Sequence, residues 1–234
     1  MAKMVGLNLV LKQGWLKKAV ALLNENLSEE EYRKELDSHL SFEIDSPTNR
    51  RKAREILMRV WYQDSEYVGK FQQEGRKLIQ KYPEYLFELS WCMIPLAYPV
   101  FADYAKLMGK MFEFQDVVTT NHIKQKMFDL LGERNLIEFV TTKVISTMRE
   151  LEAVRSIQIG KHEAVIKNVS NEEIVSFMIE VAMYLDGSSY YSFSSMTEFP
   201  FLFPFKYLLA KEQLMKDERF ILSAFDTQLS VALK

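Results

Sequence analysis

The sequence is poor in the residues that would narrow its chemistry. One cysteine, Cys92, in 234 residues excludes an internal disulfide framework and favours a reducing compartment such as the cytoplasm. Cys92 sits in the apolar run LSWCMIPLAYPVF, the setting of a small buried hydrophobe rather than of a nucleophile. The eight glycines form no Walker-type phosphate loop, no nucleophile elbow and no dinucleotide fingerprint. The three histidines, His39, His122 and His162, are scattered, with no pair one helical turn apart. These absences predict a protein that is not an enzyme, with no catalytic residues, no metal, no cofactor and no small-molecule substrate.

Long apolar runs are missing too. A membrane span needs about 20 predominantly apolar residues, and the best candidate, residues 89–102, holds two prolines and is closed by Asp103. The opening MAKMVGLNLVLKQGWLKKAV is interrupted by Lys12 and Lys17 and does not read as a signal peptide. Charge of one sign is also lacking: 30 Lys and Arg against 32 Asp and Glu leave a net charge of -2. A polyanion partner would have to meet a local patch.

What is present is helical. With 48% hydrophobic residues the chain can bury a sizeable core, and apolar spacing predicts helices over residues 15–24 and 29–40. Ser46 as N-cap with Pro47 behind it starts another, running to about Tyr62. Three helical pieces follow, broken near Pro83 and again at Pro95 and Pro99. Ile123, Met127, Leu130 and Leu131 share a face of the next helix, which stops at Gly132.

After a short apolar piece, LIEFV, the stretch TTKVISTMRELEAVRSIQIGKHEAVI changes period. Val144, Ile145, Met148, Leu151 and Val154 recur as on a helix, whereas residues 155–166 alternate about Gly160 as in a hairpin with Ile157 and Ile159 turned to the core. Helices followed by a hairpin are the layout of a winged helix-turn-helix. Leu136, Val140, Val144, Met148 and Leu151 would also line one uninterrupted helix; the β-branched run Val140, Thr141, Thr142 favours a break.

Downstream, Ser170 and Glu173 have capping-box spacing ahead of a helix that ends at Gly187. A last helix near residues 204–216 and a hairpin about Asp226-Thr227 complete the pattern. The expected fold is mainly α, a multi-helix domain with a winged helix-turn-helix-like unit, its wing a short β-hairpin, and a C-terminal β-hairpin. Residues 1–116 read as an N-terminal helical domain, 117–168 as the winged-helix-like unit and 169–234 as C-terminal helices and hairpin packed on the rest.

Two sets of side chains point to nucleic acid. Arg50, Arg51, Lys52 and Arg54 crowd the first turns after Ser46, where cations oppose the helix dipole, so their placement suggests an anionic partner. In the winged unit, the outward face of the third helix offers Thr142, Lys143, Ser146 and Arg149, with Lys161 and His162 at the wing tip and Lys167 behind them. A guanidinium can donate two bonds to guanine, which makes Arg149 the base-reading candidate; the others suit phosphates. Glu150 and Glu152 bring the helix close to neutral. Many winged helices dock proteins instead, and RNA is a third option.

With these residues in view, the chain resembles the BrxA family of the bacterial BREX phage-defence systems. The resemblance rests on LKQGWLKKAVALLNENLSEEEYRKEL, on SPTNRRKAREILMRVW, similar to the family's Ser-x-x-Thr-x-x-Arg pattern before an Arg-rich helix, and on TTNHIKQKMFDLLGERNLI. It covers about the first 150 residues. It implies a non-catalytic accessory in DNA-based phage restriction that binds duplex DNA or helps assemble other defence-system proteins. Arg50, Arg51 and Arg54 are the positions it carries over.

Overall fold

The computed structural model describes residues 6–132, 135–225 and 228–234. Six helices open the chain: α1 (Gln13–Leu22), α2 (Glu29–Ser41), α3 (Pro47–Leu57), α4 (Gly69–Lys81), α5 (Leu86–Ala97) and α6 (Val100–Phe112). Ser28 and Glu31 close a reciprocal capping box on α2. Ser46 caps α3 through the Asn49 N–H with Pro47 at its first turn, and a π-helical turn (Met58–Tyr62) extends that helix to the expected end. Pro83 separates α4 from α5. Pro95, expected to break a helix, lies inside α5 instead; it is fully surrounded by core, and Tyr98 N–H still bonds back to the Ile94 carbonyl at 2.8 Å.

The winged unit follows: β1 (Val117–Thr119), α7 (Thr120–Leu131), α8 (Asn135–Glu150), β2 (Val154–Gln158) and β3 (Lys161–Ala164). The strands form one antiparallel sheet in the order β1-β3-β2. Thr119 caps α7 by accepting from His122 N–H at 3.2 Å. The expected break at Thr141 does not occur, so α8 takes the place of two helices, and α6 precedes β1 as the unit's first helix. Thr141 is not free to cap a new helix because its hydroxyl donates back to the Ile137 carbonyl at 2.7 Å. Tyr104 of α6 holds the same hydroxyl at 2.7 Å.

The end of α8 is closed by a Schellman pair, Glu152 N–H to Arg149 O and Ala153 N–H to Met148 O, both 2.9 Å. Glu152 takes φ 54, the left-handed conformation usually left to glycine. Just past that reversal, Ala153 is fully buried. Val140, Val144, Met148 and Leu151 are buried as expected, whereas Leu130 and Leu136 are exposed.

The rest of the chain is β4 (Lys167–Val169), α9 (Glu172–Asp186), β5 (Tyr191–Ser192), α10 (Phe193–Met196), β6 (Phe205–Tyr207), α11 (Lys211–Lys216), β7 (Phe220–Phe225) and β8 (Gln228–Leu233). Asn171, not Ser170, caps α9, its side chain accepting from the Glu173 and Ile174 N–H groups. Gly187 ends that helix with φ 78. The helix expected over 204–216 shrinks to α11, because Phe205–Tyr207 pairs in parallel with β4. β7 and β8 pair as the expected terminal hairpin; its Asp226-Thr227 connection lies outside the described residues.

One buried cluster runs from Leu7 and Leu11 through the helices to Phe205 and Val231. Two contacts tie its parts together. Trp91, fully buried, donates Nε1–H to the Phe201 carbonyl at 2.9 Å and meets Phe101, Phe203 and Phe205 edge-on. Leu11 N–H donates to the buried Thr147 Oγ1 of α8 at 3.0 Å, which seats the N-terminal segment on the back of that helix. Among the described residues no helix is long and apolar enough to cross a membrane.

Candidate nucleic-acid interface

Between α8 and the β2–β3 hairpin lies a cleft of about 410 Å3. Thr142, Ser146 and Arg149 line it from the helix, Ser156, Gln158 and Gly160 from the hairpin, and Thr120 and His162 from its floor. Residues at 142, 146 and 149 fall within one narrow sector at 100° per residue, so continuity of α8 is what aligns them. The hairpin closes through Ile159-Gly160, Gly160 adopting φ 70. Thr120 N–H holds the Gly160 carbonyl at 2.9 Å and sets the wing's height above α7.

Arg149 spans the cleft: one terminal nitrogen donates to Ser156 Oγ and the other to Ser146 Oγ, both at 3.3 Å. These are long bonds, and no carboxylate pairs with this guanidinium among the described residues. The glutamates that neutralised the helix on paper are engaged elsewhere. Glu150 accepts from Gln13 N–H at 3.0 Å, Glu152 pairs with Lys167 at 2.9 Å, and Glu138 pairs with Lys124 of α7 at 2.9 Å. Among the described residues that line the cleft, none is acidic.

His162 does not sit at the wing tip. It is 4% exposed, with Nε2 2.9 Å from Thr120 Oγ1 and Nδ1 3.2 Å from Ser156 Oγ. Burial first, and the Arg149 charge second, hold its imidazolium form below the ordinary range. It is therefore a neutral strut that fixes the wing, not a phosphate contact. Ile157 and Ile159, expected in the core, are 47% and 100% exposed; the turn falls at 159–160, so Val154 is the strand residue that reaches the core.

Lys161 is exposed at the start of β3, and Lys143 lies over the Phe139 ring at 5.0 Å, about 100° round the helix from Thr142. Lys167 is held by Glu152 and the Phe87 ring, 4.4 Å away. The Arg-rich start of α3 divides in two. Arg50 and Arg54 turn to Asp37 of α2, at 3.3 and 3.0 Å, and Arg54 also meets Glu55. Arg51 and Lys52 turn the other way and line a second depression with Arg59, whose guanidinium stacks 5.5 Å over Tyr98. Sequence reasoning missed Arg59, which follows Arg51 by two helical turns, and missed Thr120, Ser156 and Gln158, whose place depends on the sheet.

No family model, no curated protein and no solved structure matches this chain. Among the described residues no group of His, Cys, Asp and Glu could hold a metal ion. Cys92 is fully buried and its thiol is pushed up by desolvation, the state of a packing residue. The arrangement that remains is a cleft of mixed polarity, with Arg149 and the hydroxyls of Thr142 and Ser146 on the helix wall and Ser156, Gln158, Ile157 and Ile159 on the hairpin wall.

Proposed function

We propose that the chain is a non-catalytic DNA-binding accessory protein, acting in the cytoplasm as part of a BREX-like phage-defence system. The observation that carries the DNA-binding part is Arg149, a guanidinium with no carboxylate partner among the described residues, in a cleft between helix and wing whose described lining holds no acid. In a winged helix this face enters the major groove while the wing follows the adjacent backbone. Arg149 would contact a guanine edge, Gln158 could take an adenine, and Thr142, Ser146, Lys143 and Lys161 would hold phosphates. Arg51, Lys52 and Arg59 form a further cationic surface for the backbone; Arg50 and Arg54 shape it from behind. The defence-system setting rests on the resemblance of the first 150 residues alone.

Fluorescence anisotropy with a labelled duplex at two salt concentrations tests this. The two phosphate-contacting cations of the winged unit, Lys143 and Lys161, predict a slope of log K against log salt of about -1.8. Adding Arg51, Lys52 and Arg59 brings it to about -4.5. No binding at ~50 mM salt and micromolar protein would exclude the reading.

A second reading, a scaffold that docks defence proteins without touching DNA, is favoured by Ile157 and Ile159. Exposed branched apolar side chains on one wall of the same cleft suit a protein surface better than a phosphate backbone. Recovery of partner proteins after nuclease treatment, from a chain that ignores naked duplex, would favour it.

A further inference from the structure

The three-stranded sheet of the winged unit has a second cleft on its other side. His162 faces Arg149, so the next residue, Glu163, turns the opposite way and lines a cavity of about 420 Å3 between β3, α6 and the 197–207 segment. Its walls are aromatic. Phe112 and Phe203 stack with ring centroids 5.0 Å apart, and Phe199 and Tyr207 complete the wall, all four rings only partly covered.

The wall is held in place from behind. Tyr207 donates its hydroxyl to the Met196 carbonyl at 2.8 Å, Trp91 holds the Phe201 carbonyl, and Gly109 of α6 approaches the Pro200 carbonyl so closely that no Cβ would fit. Charge is concentrated at the rim. Glu113, Asp116 and Glu198 are exposed and have no ion-pair partner among the described residues, whereas Glu163 is taken by Arg155 at 2.8 Å. Lys206 is the one cation among the described residues of the lining. Three carboxylates with no ion-pair partner among the described residues, beside four half-buried rings, repel phosphate, so this cleft is no extension of a DNA surface.

The geometry points to a binding site for an organic cation, an alkylammonium or guanidinium group, laid on the Phe112, Phe203 and Tyr207 rings and countered by Glu113, Asp116 and Glu198. Ring faces attract such cations most when water is displaced, and the apolar body of the ligand covers the aromatic wall, which a bare metal ion would leave wet. The volume lies in the range of small-ligand sites, about 300–1,000 Å3. The cation could come as a free polyamine or as the arginine or lysine side chain of a partner protein. The site stands whether or not the opposite face binds DNA.

Calorimetric titration of the full chain, without DNA, decides the matter. Spermidine and N-acetyl-arginine amide are the two titrants, at ~0.15 M salt to limit loose surface pairing. We expect saturable one-site binding with Kd between about 10 μM and 1 mM. Saturation by spermidine alone identifies a free polyamine, and saturation by the arginine amide alone or by both identifies the group shared with a protein side chain. In a Glu113→Gln, Asp116→Asn, Glu198→Gln variant affinity should fall about tenfold or more; the three sites are exposed, and an unchanged melting curve confirms folding. Absence of saturation by either titrant at ~5 mM, or affinity unchanged in the triple variant, overturns the assignment.

Discussion

Replacing Arg149 by alanine separates binding from stability. Its two hydrogen bonds to Ser146 and Ser156 are 3.3 Å long and the side chain is exposed, so folding loses little, within about 0.5 kcal/mol for a surface change of this kind. In a chain of this length that is a melting shift of ~2 °C or less. Binding should lose far more. A bidentate contact to a guanine is worth about 1–3 kcal/mol of discrimination, roughly a 5- to 150-fold drop in affinity for the preferred duplex. Competition anisotropy against a panel of duplexes reads both quantities, since affinity should fall most where preference was greatest and the panel should become flatter. If every duplex binds the variant within about twofold of the parent while the melting curve stays put, the cleft is not the reading site.

Three further changes probe the surrounding architecture. Arg51→Ala with Lys52→Ala should flatten the salt slope by about 1.8 while leaving sequence preference alone; Arg50→Ala with Arg54→Ala should leave the slope nearly untouched, because Asp37 and Glu55 already pair with these guanidinia. Burial holds the folded His162 below its ordinary value of 6.5, so the unfolded imidazole binds protons more readily. The resulting stability is fully present above that ordinary value and is lost as pH falls through it toward the folded one. Melting between about pH 7.5 and 5.5 should therefore drop more for the parent than for His162→Gln, which keeps neutral hydrogen bonding; equal drops would refute the strut. Thr147→Val leaves the Leu11 N–H unpaired in the core, a cost of about 1–3 kcal/mol and a fall of roughly 2–12 °C in calorimetry, where a shift under ~1 °C would show that the N-terminal segment is not held there.

What could be read from the sequence was whatever depends on local periodicity and chain punctuation. The Ser46-Pro47 start, the stops at Pro83, Gly132 and Gly187, the apolar stripe from Val140 to Leu151 and the two hairpins all follow from neighbouring residues. The misreadings share one cause, a tertiary partner invisible in one dimension. Thr141 looked like a boundary until Tyr104, 37 residues away, occupied its hydroxyl. Phe205–Tyr207 looked helical until β4 offered an edge. His162 looked like a tip residue because alternation gives the face of a strand but not where its turn falls.

Counting charges along a helix misleads for the same reason. On sequence, Glu150 and Glu152 cancel Lys143 and Arg149, and the Arg50 to Arg54 cluster outweighs them all. In three dimensions Glu138, Glu150 and Glu152 each have a partner off the cleft, and two of the four α3 cations are paired with Asp37 and Glu55. An ion already paired offers a phosphate little, since the new contact must first offset the loss of the old one. The effective cationic surface is therefore Arg149 in the cleft with Lys161 and Lys143 outside it, and Arg51 and Lys52 on α3 with Arg59 on the π-helical turn that extends it, which is a different set from the one that local density suggests. On the opposite side of the same sheet the surplus is negative. A duplex approaching this molecule would be oriented by that difference before any base is read.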